Sequence, residues 1–264
     1  RYPVQKIIVA SSQAVYGEGK YRCPGCTRIF YPAPRLSDQL MNREWEIKCP
    51  TCYCYSDSVH SNEDRVNPHT QYAMSKYTQE MIAINLGRQY GIPAVALRYS
   101  ITQGPRQSFF NAYSGILRIF CTRMMTNRSP VLYEDGQMKR DYVHVHDVAK
   151  ANLLVMESEK TDYQVYNVGS GIPTTQRQFT EALACKLEKS IEPSIPGEFR
   201  RGDVRHIVSD VSKLKGLGWQ PTETLDDILD DYIAWIESQG SARDYFADAE
   251  KVMKEVGAVR VAEG

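Results

Sequence analysis

Two cysteine pairs constrain this chain more than any other feature. Cys23-Pro24-Gly25-Cys26 and Cys49-Pro50-Thr51-Cys52 are both C-x-x-C turns. Such a turn aims two sulfurs at one point, and Pro and Gly allow it to be tight. Two turns together complete a four-thiolate tetrahedron, the pattern of a structural zinc site with no open coordination position. Disulfides are the alternative, but a cytoplasmic chain keeps its thiols reduced, and a redox C-x-x-C needs one pair, not two. The expected ligands are Cys23, Cys26, Cys49 and Cys52, with Cys54 able to substitute for Cys52. Cys121 and Cys185 lie in apolar, helix-like surroundings and read as buried core thiols.

The remainder reads as an ordinary globular chain. Of 264 residues, 42% are hydrophobic and 24% charged. Lys+Arg and Asp+Glu both total 32, so the basic excess of a nucleic-acid binder is absent. No apolar run approaches the ~20 residues that cross a bilayer, and no secretory signal opens the sequence, so the expected address is cytoplasmic and no membrane partner is expected. Val4 to Ser12 reads as a buried strand. From Asn67, apolar residues recur at helical spacing up to a stop at Gly91, and Ile92 to Tyr99 reads as a second strand. Tyr72 and Lys76 are four apart in that helix, so phenol and ammonium address one spot. A nearby cation favours phenolate, which suits a general base. Further helices are expected over 111–127, from a cap at Asp147 to Glu159, over 176–189 and from Thr224. His144 and His146 alternate as on one strand face, but no third ligand lies nearby in sequence, so solvent or packing roles are expected.

Several ordered motifs point to one family. "VASSQAVYGEG", "YAMSK", "LRYSITQGPRQ", "RDYVHVHDVAKA", "VYNVGSG" and "GDVRHIVSDVSKLKGLGWQP" cover most of residues 4–238. The chain resembles the extended short-chain dehydrogenase/reductase family, specifically its NAD-dependent nucleotide-sugar epimerases and dehydratases, of dTDP-L-rhamnose 4-epimerase or UDP-glucose 4-epimerase type. The resemblance implies an α/β fold: the C-terminal part of a Rossmann-like, doubly wound parallel sheet within residues 1–103, carrying a zinc-knuckle insertion at about 20–58. A smaller α+β substrate lobe would occupy 104–240, with some segments returning to the sheet, and a tail 241–264.

It also implies roles. Ser12 would hydrogen-bond the reacting sugar hydroxyl, Tyr72 would be the base, and Lys76 would hold the nicotinamide ribose. Ser11, Tyr99 and Ser100 would lie against NAD. Arg140 would clamp the substrate pyrophosphate, a task for a planar bidentate donor; Arg205 and Asp203 would lie toward the nucleotide. A solvated or salt-bridged arginine is the plainer reading of both arginines. The implied activity is 4-epimerisation of a nucleotide-diphosphate sugar through a 4-keto intermediate, in a full-length homodimer. An NADP-linked reductase or a dehydratase of the same family, or a non-catalytic zinc-bearing interaction module, are the alternatives.

Departures from the family sharpen these expectations. Ile101 stands where asparagine often touches substrate, so that contact is either missing or supplied elsewhere, with Asn111 the candidate. Gln13 and Ala14 follow Ser12 where dehydratases carry Asp-Glu, which favours epimerisation. Neither "GEGKYR" nor "GSGIPT" forms the Gly-rich turn that brings a dinucleotide pyrophosphate to a helix N-terminus. Three βαβ steps of ~30 residues each would precede Ser12 in such an enzyme, so the chain reads as the C-terminal part of a longer protein, expected by itself to bind NAD weakly and to associate through an exposed apolar edge.

Overall fold

The structure is a computed structural model that describes residues 4–108, 115–240 and 247–262. In chain order the elements are β1 (Ile7–Ser12), a 3-10 turn (Gln13–Tyr16), β2 (Lys20–Arg22), β3 (Ile29–Phe30), α1 (Ser37–Met41), β4 (Asp57–Val59), α2 (Gln71–Tyr90), β5 (Ala94–Tyr99) and β6 (Ile101–Gln103). They continue as α3 (Ile116–Met125), β7 (Lys139–His144), α4 (Val145–Glu157), β8 (Val165–Val168), β9 (Pro173–Thr175), α5 (Gln176–Lys186), β10 (Glu198–Arg200), α6 (Ser212–Lys215), α7 (Leu225–Ser238), α8 (Ala247–Glu255) and β11 (Val259–Val261).

The apolar runs in β1 and β5 form a parallel sheet, as runs buried on both faces do. Its order is β1-β5-β8, with Ser12 opposite Tyr99 and Tyr99 opposite Val168. That register brings the C-terminal ends of three strands to one crevice, where open α/β sheets bind ligands. Val95, Leu97, Val143, Val148, Val168 and Trp219 pack together on this sheet. Beside Ile8 of β1, residues of α4 including Val145, Leu153 and Met156 leave an apolar hollow of about 430 Å³.

α2 begins at its cap Thr70, whose side chain accepts from Ala73 N, and ends at Gly91 in the left-handed region (φ +66°). α4 runs from a cap at His144 rather than Asp147 and ends at Glu157. Asp147 is instead buried in its first turn, accepting from the Thr222 and Glu223 backbone amides. α3, α5 and α7 enclose a second core of Leu117, Phe120, Met124, Phe179, Leu183, Leu229 and Tyr232. Cys121 belongs to it, and burial pushes its thiol up to about 12. Cys185 is exposed, contrary to its expected burial, because it falls on the outer side of α5. Of the helix expected over 111–127, residues 109–114, Asn111 included, lie outside those described. β11, in the expected tail, pairs antiparallel with β10.

Candidate active site and cysteine cluster

Ser11, Ser12, Tyr72, Lys76, Tyr99, Ser100 and Arg140 line one cavity of about 1030 Å³ at the C-terminal ends of β1 and β5. Lys76 is positioned by α2 and by β1 together: its Nζ donates to Ala10 O at 2.9 Å and lies 5.8 Å from the Tyr72 ring centroid. Tyr72 is 56% exposed, its ring open to the cavity side of α2. Ser12 Oγ accepts from Ala14 N at 3.1 Å and so caps the 3-10 turn.

Behind this surface lies a buried polar network. Ser11 Oγ donates to Glu80 on α2, and Arg98 of β5 grips both Glu80 oxygens, at 2.9 and 2.7 Å. Arg98 also donates to Tyr16 Oη, which donates to Asn167 of β8. The network pins α2 to three strand ends, so the faces carrying Ser12 and Lys76 cannot slide independently. Ser100 Oγ donates to Asp141 at 3.0 Å and pairs with Ser209 Oγ; Tyr99 Oη donates to Asn152. Asp141 is fully buried, and burial pushes its carboxyl up against hydrogen bonds from Ser170, Ser209 and Ser100. Gly169 permits this: a Cβ there would stand 2.3 Å from Asp141 Oδ2.

The two arginines fare differently. Arg140 reaches the cavity, but its guanidinium donates to the Lys139, Val204 and Arg205 carbonyls. Arg205 does not line the cavity; it is 1% exposed and is held by Glu46, Glu134 and Asp135. Asp203 does line it, and burial pushes its carboxyl up, opposed by Arg140.

The cysteine segment contributes to the same cavity. Pro34, Arg35 and Leu40 line its wall, and Glu46 is one of the three carboxylates that hold Arg205. Arg35 is itself buried between Glu18 and Glu134. His69 and Gln103 also line the cavity. No sequence motif marked Pro34, Arg35, Leu40 or Glu46, since their roles come from a loop folding back onto the sheet, and Gln103 stands inside the run "LRYSITQGPRQ" without a signal of its own. His69 alone had a local signal, standing just before the helix cap.

Within the insertion, β3-β2-β4 is a small antiparallel sheet. The sulfurs of Cys23, Cys26, Cys49 and Cys52 all lie within 4.8 Å of one another, and Cys54 is not in that group. Cys23 and Cys52 Sγ are 3.3 Å apart, Cys26 and Cys49 Sγ 3.6 Å. These exceed a ~2.05 Å disulfide bond and approach the ~3.8 Å edge of a tetrahedron with ~2.3 Å Zn–S bonds. Without metal the four thiols share their protons unevenly: the Cys52 backbone amide pulls the Cys49 thiol down to about 6, whereas at Cys52 the pull of the Cys54 backbone amide is outweighed by the neighbouring Cys23 sulfur, which pushes the thiol up to about 12.

The histidines depart from expectation. His144 ends β7, but His146 lies in the first turn of α4, and α7 supplies Asp231 within 4.8 Å of both rings. His144 Nδ1 accepts from His146 N at 3.0 Å. Its proton therefore sits on Nε2, 3.3 Å from Asp231. A metal binding at that nitrogen would have to displace the proton.

Residues 47–169 match the NAD dependent epimerase/dehydratase family. Over that segment, just under half of the chain, the sequence is that of an epimerase-family domain. It is 32% identical over 239 residues to a dTDP-L-rhamnose 4-epimerase of Burkholderia thailandensis, covering 89% of this chain and 64% of that protein. It superposes on a UDP-glucose 4-epimerase from Thermotoga maritima, solved with UDP-glucose, with TM-score 0.72 and 29% identity over 91% of this chain and 66% of that one. A Thermus thermophilus UDP-glucose 4-epimerase in complex with NAD gives TM-score 0.63 and 26% identity, over 89% of this chain and 64% of that one. The chain thus spans under two thirds of the length of the curated relatives it matches. These neighbours share its Rossmann-like α/β architecture. Among the described residues no helix is long and apolar enough to cross a membrane.

Proposed function

We propose that this chain carries the nicotinamide end and the sugar site of an NAD-dependent nucleotide-sugar 4-epimerase. The observation that carries this reading is the convergence of Ser12, Tyr72 and Lys76 on one cavity large enough for a drug-sized ligand or more. Tyr72 Oη takes the proton of the sugar 4-hydroxyl and returns it after the sugar has turned over; Ser12 Oγ orients that hydroxyl. Lys76 has three donors and spends one firmly on Ala10 O, leaving donors for a nicotinamide ribose. NAD, when bound, supplies the hydride chemistry at sugar C4. The residues present fit its nicotinamide-ribose end; a Gly-rich pyrophosphate turn is not in this sequence. Gln13-Ala14 in place of an acid pair favours epimerisation over 4,6-dehydration. The relatives named for dTDP-L-rhamnose and UDP-glucose support a nucleotide-diphosphate sugar as substrate.

Incubation of the protein with NAD and either nucleotide sugar, followed by proton NMR, should show inversion at C4. Net reduction of a 4-keto sugar by added NADPH, without inversion, would favour a reductase instead.

The four sulfurs, all within 4.8 Å of one another, support a structural zinc that fastens the insertion. Elemental analysis of protein purified without added metal should find one zinc per chain; less than a trace of zinc, or a disulfide between any two of these cysteines, would overturn this.

A further inference from the structure

Two carboxamides in the cavity have no work inside the protein. Gln13 is 6% exposed and Gln103 2% exposed, and both line the cavity. Oε1 of each has no hydrogen-bond partner. Nor does another described residue engage either amide nitrogen, so the argument does not depend on which way the amides are turned. Buried side-chain polar atoms are paired in the large majority of cases, and leaving one unpaired is costly. Gln107 adds a third unpaired amide oxygen on the same lining.

The positions are informative. Gln13 directly follows Ser12 and opens the 3-10 turn that Ser12 caps. Gln103 ends β6, two residues after Ile101 and so on the same face of that strand. Both therefore stand at strand ends, Gln13 beside Ser12 itself. A carboxamide is uncharged and offers both acceptor and donors, as a sugar hydroxyl does. A phosphate would call for cations instead.

We propose that Gln13 and Gln103 read the hydroxyl groups of the sugar bound in this cavity. They are specificity-determining residues. The inference rests on the nucleotide-sugar reading above.

The test is to make Gln13→Leu and Gln103→Leu, with Gln13→Met and Gln103→Met as substitutes if the leucine variants fold poorly. Two quantities are measured: the melting temperature without ligand, and affinities for UDP and UDP-glucose by calorimetry. Removing an unpaired buried amide should leave the ligand-free melting temperature unchanged or raised. Affinity for UDP-glucose should fall about three- to tenfold per variant, the worth of one hydrogen bond, while affinity for UDP stays within about twofold. A lowered melting temperature with unchanged UDP-glucose affinity would make the amides structural and overturn the proposal. So would equal losses for UDP and UDP-glucose. A wild-type protein that binds neither UDP-glucose nor dTDP-L-rhamnose would overturn the underlying functional reading, and this inference with it; if only the dTDP ligands bind, the same comparison is made with dTDP and dTDP-L-rhamnose.

Discussion

The parallel sheet and the cysteine insertion lie on the same cavity but are held together by different forces. The sheet buries a broad apolar cluster, from Val95 and Leu97 through Val143 and Ala151 to Trp219. The insertion's own cluster is Tyr21, Cys23, Phe30, Ile47 and Cys49, so two of its members are thiols. Its strands are two or three residues long and α1 has five. A unit this small cannot offset its chain entropy by apolar burial and needs a staple. It is also moored by charge: Arg35 to Glu18 and Glu134, and Glu46 to Arg205. The lesson is that a segment with almost no core of its own can still wall a cavity when buried ion pairs moor it, and the proposed zinc would complete that fastening.

The largest expected effect separates the two regions outright. Structural zinc contributes roughly 10–16 kcal/mol of coupled folding in small metal domains. Chelation, or Cys49→Ser, should abolish hydrogen-exchange protection in β2, β3 and β4 while β5 keeps its own. Equal protection of the insertion with and without metal would break the comparison.

Next comes the polar network behind the sheet. Glu80→Ala leaves the Arg98 guanidinium buried without its carboxylate partner. The expected loss is about 3–5 kcal/mol, the usual cost of breaking a buried pair. Thermal or urea unfolding measures it, and zinc content should stay unchanged.

Tyr72→Phe should leave both regions folded, because the ring is largely exposed. Turnover of the NAD-loaded enzyme should drop ~10²–10⁴-fold, the usual worth of a general base. Near wild-type epimerisation would mean that another group moves the proton.

The smallest effect probes the mooring. Burial works to raise the Glu46 carboxyl, but hydrogen bonds from His206 and Arg205 outweigh it and hold it at about 2, against an ordinary 4.5. A carboxylate with a depressed folded value stabilises fully above its unfolded value and loses that contribution as pH falls through the folded one. The melting-temperature gap between wild type and Glu46→Gln should therefore be complete above about pH 4.5 and close toward pH 2. Since Glu46 is partly exposed and Arg205 keeps Glu134 and Asp135, the gap should be small, about 1 kcal/mol or less. A gap that widened in acid would show that Glu46 is not the anchoring carboxylate.

Much of this could be read locally. Apolar runs marked β1 and β5, helical spacing and Gly91 bounded α2, and two C-x-x-C turns foretold four clustered sulfurs. Each rests on residues near one another in sequence, where spacing alone fixes geometry. The choice of Cys52 over Cys54 needed the fold of the second turn. Arg205 illustrates the limit: its motif suggested a nucleotide contact, whereas three carboxylates, one of them from the insertion, enclose it.

The sequence by itself thus determined the strands, the helix that presents Tyr72 and Lys76, and the thiol set, because periodicity and short turns are properties of neighbouring residues. Only the tertiary structure decided that the insertion's Pro34 and Leu40 wall the cavity, that Arg140 is held by backbone carbonyls, and that Gln13 and Gln103 stand unpaired within it. The reason is physical. Which buried polar group finds a partner depends on contacts between segments a hundred or more residues apart, as between Arg205 and Glu46, and no local pattern encodes such a meeting.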